Sequence, residues 1–271
     1  MFATQNQLDW NVLKRDLFVK VNGEDIKVPG KVAQVRDDNN NVVGITSPSY
    51  EVFQNSDLKG LVKPLVDEGL LEVTNIGYLG KGSKVFIQAQ MSQEFIVAGE
   101  AHKGNLTLLN SHDGSSTLAA GVTDTRVICT NTFASALTDL STRIRHNSEM
   151  HVKALEITET INFVNEGMKL FGAQAEKLAL AKCDESTLDS LLAYAFKKDD
   201  VKTLRPRNKI VSFFRSGIGN EGKTLWDATN GLTQWVTHES SKDAGKRFAT
   251  ANFGKGADVS RRFVSAALAL V

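Results

Sequence analysis

The chain has 271 residues, of which 41% are hydrophobic, 23% are charged and four are proline. That is enough apolar material for a large core and too little proline for a long disordered linker. The net charge of +1 excludes a polycation drawn to nucleic acid or membrane by a global field.

The first part reads as β-rich. LFVKVNGEDIKV (residues 17–28) places apolar residues in alternation on both sides of Asn22-Gly23, a hairpin signal. KVAQVRDDNNNVVGI (residues 31–45) repeats the design with a longer polar tip. A helix is expected from Asn55 or Ser56 to Asp67, because Leu58, Leu61, Val62 and Leu65 share one face and Gly69 ends it. Pro64 inside that span predicts a kink or an early end. LEVTNIGYL and SKVFIQAQM follow as strands joined through Gly80-Lys81-Gly82. NLTLLNS, STLAAGV and TRVICTNT read as further strands. Short turns between strands require antiparallel pairing.

The pattern changes after Asn147. Ile157, Val164, Phe171 and Leu178 recur every seven residues, and Ala154, Ile161, Met168 and Ala175 form a second series. This predicts a long amphipathic helix lying across the sheet, or else forming a subunit contact. A second helix is expected over residues 186–198. KIVSFFRS (residues 209–216) reads as a strand. A helix should start at Thr224, with Asp227 answering as the third residue of a capping box and Trp226, Leu232 and Trp235 as anchors. A last helix is expected from about Ala257.

The fold class expected is α+β: an antiparallel, hairpin-rich sheet packed by a long amphipathic helix, with a mixed, mainly helical C-terminal part. The expected parts are a β-rich core with one helix over 1–145, the long helix and its successor over 146–200, and a basic strand-loop-helix part over 201–271 packed on the same domain. Residues 201–271 hold 12 Lys+Arg against 5 Asp+Glu, while residues 146–200 have net charge −4 and residues 1–145 net −2. The basic end is a candidate anion-binding face. Cys129 and Cys183 are distant in sequence and point to a reduced, cytoplasmic protein. No apolar run approaches the ~20 residues that span a bilayer. MFATQNQLDW has no basic region before an apolar core, so no signal peptide is expected.

Three stretches invite chemistry. GIGNEGKT (residues 217–224) fits the phosphate-loop pattern, with Lys223 for phosphates and Thr224 for magnesium. Against it, only 47 residues remain after Thr224, with no apolar strand to supply a second acidic residue. NSHDGSS (residues 110–116) offers Asn110, His112, Asp113 and Ser115 as a binding loop or an acid-base set. A polar turn explains the same residues. The third is a scatter of cations: Lys81, Lys84, Arg126, Arg143, Arg145, Arg205, Arg207, Lys209, Arg215, Lys223, Arg261 and Arg262. Tyr78, Phe86, Phe213, Phe214, Phe253 and Phe263 lie near them in sequence. Cationic grooves with stacking side chains suit single-stranded nucleic acid. No His/Cys pattern supports a metal, and no cofactor is expected.

SYEVFQNSDL, NSHDGSSTLAAGVTDTRVICTNT, GKTLWDATNGLTQWVTHE and RRFVSAALAL resemble the phage/plasmid-like family known as domain of unknown function 932. The block over residues 110–132 is the most specific. The resemblance implies a setting in phage or plasmid genomes and supplies no catalytic residues. The order hairpin, helix, antiparallel strands, long helix is also similar to the core of phage single-strand annealing proteins of the Redβ and RecT type. This implies a non-catalytic, oligomeric protein, a ring or filament, that binds and anneals single-stranded DNA in the cytoplasm, without a membrane. The alternatives are a phosphate-loop nucleotide hydrolase and a protein-binding defence or anti-defence module.

Overall fold

Local turn chemistry sets the first element. Asn22 and Gly23 have φ of +51° and +91°, the left-handed pair that an Asn-Gly turn adopts at low cost. They join β1 (Val12–Val21) to β2 (Glu24–Arg36), with Val21 opposite Glu24. β3 (Val42–Thr46) completes a three-stranded antiparallel sheet in the order β1-β2-β3. These elements belong to a computed structural model that describes residues 8–126, 132–134, 142–155, 160–197 and 201–271.

The helix expected from the Leu58, Leu61, Val62 and Leu65 spacing is α1 (Asn55–Asp67), and all four side chains are buried. The Asp57 carboxylate accepts the Gln54 N–H at 3.0 Å and so caps the first turn. Pro64 sits inside the helix, which still runs to Asp67. Gly69, at φ +73°, ends it.

Six more strands form one sheet: β4 (Leu71–Leu79), β5 (Lys84–Val97), β6 (Glu100–Ser111), β7 (Leu118–Arg126), β8 (Thr132–Ala134) and β9 (Thr142–Ile144). The order is β4-β5-β6-β7-β8, with β9 also on β7. The pairings of β4 with β5, and of β7 with β8 and β9, are antiparallel. The fold is α+β, as expected. β5 and β6 are longer than their apolar cores suggested, because the strands continue to a tight turn at Ala98 and Gly99, both left-handed.

The chain divides into two compact units. The first comprises Met1–Ser92, Leu106–Gly121 and Ser141–Asn162, and the second Gln93–Asn105, Val122–Leu140 and Phe163–Val271. In the first unit Phe53, Leu58, Ile87, Leu108, Leu118 and Met150 are fully buried. Met150 opens α2 (Met150–Leu155).

The second unit is mainly helical. α3 (Thr160–Leu180) is the long helix of the heptad pattern. Its Phe171, Ala175 and Leu178 are buried, as is Ala154 on α2. Ile157 lies outside the described residues, as do Cys129 and the side chains of Ile161, Val164, Met168 and Phe253. Phe171 packs on His102 of β6 and on Trp226, at ring distances of 5.6 and 5.9 Å. α4 (Glu185–Phe196) is capped by Asp184, whose carboxylate accepts the Thr187 N–H.

One expectation is corrected here. KIVSFFRS is helical, the second half of α5 (Val201–Ser216). Its buried residues Arg207, Ile210 and Phe214 follow helical spacing. α5 packs on α6 (Leu225–Gln234), where Gly231 lets the backbones approach. A Cβ on Gly231 would stand 2.8 Å from the Phe214 nitrogen. α6 has every residue buried from Leu225 to Thr233 and passes into a π-helical turn, Trp235–Glu239. α7 (Ala244–Phe253), which the sequence pattern did not reveal, and α8 (Lys255–Leu268) follow.

Candidate functional site

The segment 110–116 lies where β6 ends, in the first unit. Its residues are fixed from several sides. The Asn110 amide donates to the Phe53 carbonyl at 2.9 Å, and the Tyr50 hydroxyl donates to the Ser111 carbonyl. The His112 N–H donates to the Ser83 carbonyl at 2.7 Å. Gly44 faces the segment so closely that a Cβ there would lie 2.4 Å from the Asp113 Cα.

The loop also closes on itself. Asp113 Oδ1 accepts the Ser115 N–H at 2.9 Å, and Ser111 Oγ accepts the Ser116 N–H at 3.2 Å. Gly114, at φ +74°, makes the reversal. The loop amides of Ser115 and Ser116 therefore have internal partners and do not cradle an anion.

His112 is fully buried. Its Nε2 lies 3.1 Å from Asn55 Oδ1. The Asn55 amide nitrogen donates to the Trp10 carbonyl at 2.8 Å, which leaves Oδ1 as the acceptor. Nε2 is thus the protonated nitrogen, and Nδ1 is left with no hydrogen-bond partner among the described residues. Burial, and then the neighbouring His146, push the His112 pKa down to about 4. His146 stacks on Tyr50 at 4.6 Å and donates through Nδ1 to the Glu51 carbonyl at 2.9 Å. Burial lowers its pKa despite that bond. Among the described residues no serine hydroxyl is hydrogen-bonded to the His112 ring, so the loop presents no Ser-His pair. Among the described residues no group of three or more His, Cys, Asp or Glu is set to hold a metal ion.

The twelve expected cations divide by environment. Arg207 is buried and ion-paired with Asp189, so it presents no charge to a ligand. Lys209 pairs with Glu239, Arg215 with Glu185, Lys223 with Glu221 and Arg261 with Asp258. Arg262 donates to the Ala195 carbonyl in the last turn of α4, the favoured place for a cation. Arg205 is exposed. The Arg126 side chain lies outside the described residues.

Lys81, Lys84, Arg143 and Arg145 are different. All four belong to the first unit, and among the described residues none has an acidic partner. Lys81 sits in the turn between β4 and β5, and Lys84 opens β5 opposite Leu79. Ile144, between the two arginines, stands opposite Leu118 at the start of β7. The β5 start, the β6 end, the β7 start and the β9 end lie at one end of an antiparallel sheet. The 110–116 loop thus has a cation pair on either side of it.

Beside Lys81 is a group that sequence reasoning missed. Arg36, almost fully buried, lies 4.0 Å from the Trp10 ring centre and 5.0 Å from that of Tyr78. Its guanidinium pairs with Asp38 and donates to the Lys81 carbonyl at 3.2 Å. Trp10 meets His112 edge-on at 5.5 Å. Tyr78 keeps 39% of its surface exposed. Nothing local in the sequence joins these residues; the strand register does.

The 217–224 segment follows a helix, where a phosphate loop follows a strand. Its first glycine is explained by packing, since a Cβ on Gly217 would meet the Phe213 carbonyl at 2.5 Å. Asp227 accepts from the Lys223 and Thr224 amides at 2.9 and 3.1 Å, and Thr224 Oγ1 accepts the Asp227 N–H. The capping box therefore occupies the amides that a phosphate would need. Cys183 is buried, and burial raises its thiol pKa to about 11, which makes it a poor nucleophile.

The architecture and the loop define an α+β protein organised around a self-closed polar turn at one end of its sheet. The model of a family described as domain of unknown function (DUF932) matches residues 42–262, and the chain belongs to that family. No curated protein and no solved structure matches the chain. Among the described residues no helix is long and apolar enough to cross a membrane.

Proposed function

We propose that this chain is an oligomeric protein that binds single-stranded DNA and anneals complementary strands, in the cytoplasm of a cell carrying a phage or plasmid. One observation supports this most. Lys81, Lys84, Arg143 and Arg145 lie at one end of the first unit's sheet with no acidic partner among the described residues. Phosphates would meet these cations, and the exposed face of Tyr78 offers a surface on which a base can stack. A net charge of +1 is compatible with this, because local cations suffice for a strand. The reading assigns the DNA strand to the first unit, although the larger excess of basic residues lies in the C-terminal part. Of the seven candidate cations there, five are held by carboxylates of their own unit.

The test is fluorescence anisotropy of a labelled single-stranded oligonucleotide, against duplex, across a salt series. Binding should favour the single strand and weaken steeply with salt. Replacing Lys81, Lys84, Arg143 and Arg145 together by Ala should reduce the slope of log K against log salt by up to about 3. Replacing Arg215, Lys223 and Arg261 should change it little. A protein that ignores single-stranded DNA at low salt overturns the reading.

A further inference from the structure

β1 is an edge strand. β3 pairs only with residues 32–35 of β2, so the outer part of the β1–β2 hairpin is a two-stranded ribbon. Phe18, Val19, Val21 and Ile26 on it are between 45% and 52% exposed. A ribbon of two strands is marginal alone in water. The two-residue turn makes Val21–Glu24 and Val19–Ile26 the hydrogen-bonded pairs. Phe18 and Lys20 therefore direct their N–H and C=O groups to the open edge.

We propose that β1 pairs antiparallel with β1 of a second copy of this chain, across a twofold axis at Phe18. In this register Lys20 stands against the partner's Asp16, Asp16 against the partner's Lys20, and Phe18 against the partner's Phe18. Asp16 lies on the Phe18 face despite the bulge between them, because it pairs at 2.8 Å with Lys27, the residue opposite Phe18. Charge complementarity selects the register. An axis at Leu17 opposes Lys20 to the partner's Lys14, an axis at Lys20 opposes that lysine to its own copy, and an axis at Val19 matches no charges. Phe18 meets its own copy and Val19 meets the partner's Leu17, so apolar residues become cross-strand neighbours at the axis. The contact is isologous and closes at two copies. A ring or filament would need a second contact elsewhere.

The test is the mass of the full chain by sedimentation, without nucleic acid, so its outcome is independent of the DNA-binding reading. The wild type should be a dimer or an even multiple. Lys20→Pro removes an N–H that faces the open edge, together with the lysine charge that meets Asp25 and the partner's Asp16, and should halve the mass. Asp16→Lys should weaken association about tenfold, and Asp16→Lys combined with Lys20→Asp should restore it. Circular dichroism checks that Lys20→Pro remains folded; if it does not, the charge pair alone decides. A monomeric wild type at tens of micromolar, or association unchanged by Asp16→Lys, overturns the proposal.

Discussion

His112 shows how one side chain links the loop to stability. Its folded pKa of about 4 lies below the ordinary 6.5. Between these values the unfolded chain binds a proton that the folded chain refuses. Stability is therefore level above about pH 6.5, falls as pH drops below it, and stops falling on this account below about pH 4. The loss between pH 7.5 and pH 5 is roughly 2 kcal/mol. His146, lowered by burial, acts in the same direction. Urea midpoints at the two pH values measure the loss. His112→Gln keeps an amide donor for Asn55 and has no proton to bind. Its pH dependence should be flatter, and an unchanged dependence would remove His112 as the cause. The turn over 110–116 was legible from Asp-Gly, but the anchoring was not. Asn55 is 57 residues from His112, and no local pattern reports such a partner.

At the scale of the element, α6 is held by its first turn. Thr224→Ala and Asp227→Ala should each cost about 1–2 kcal/mol in denaturant unfolding, through lost capping bonds. Lys223→Ala should leave the denaturant midpoint unchanged, since its pair with Glu221 is exposed to solvent. Magnesium and ATP should leave the melting temperature unchanged, and a clear upward shift would restore the nucleotide-binding reading. This cap was readable because all its information falls within four residues. α1 and the first hairpin were readable for the same reason. KIVSFFRS was not, because its apolar residues suit either period. What decides for the helix is Gly231 on α6, which accepts the α5 backbone from 17 residues beyond Phe214.

For the molecule as a whole, the notable property is that β5, β6 and β7 each contribute residues to both compact units. α3 shows what this implies. Its Phe171 is covered by His102, and a Cβ on Gly172 would touch Val97. His102 precedes Phe171 by 69 residues and Val97 precedes Gly172 by 75. Residues 163–271 expressed alone lack that cover and should melt without a sharp transition. A fragment that melts cooperatively at the temperature of the whole chain would show that the β5–β6 end is dispensable. The sequence pattern suggested blocks that follow one another along the chain, because periodicity reports neighbours in sequence and is blind to a strand shared between two cores.

That sharing also orders events during synthesis. The first unit has all its residues once position 162 is made, but segments 93–105 and 122–140 then still await most of the second. At about 5–20 residues per second, the ribosome needs roughly 5–20 s to complete the rest. Through that interval a nascent chain with one finished core holds out a β-hairpin whose helical cover does not yet exist. The step most exposed to chaperones, proteases and neighbouring copies is therefore the wait for the second unit's helices, from α3 to α6 and beyond.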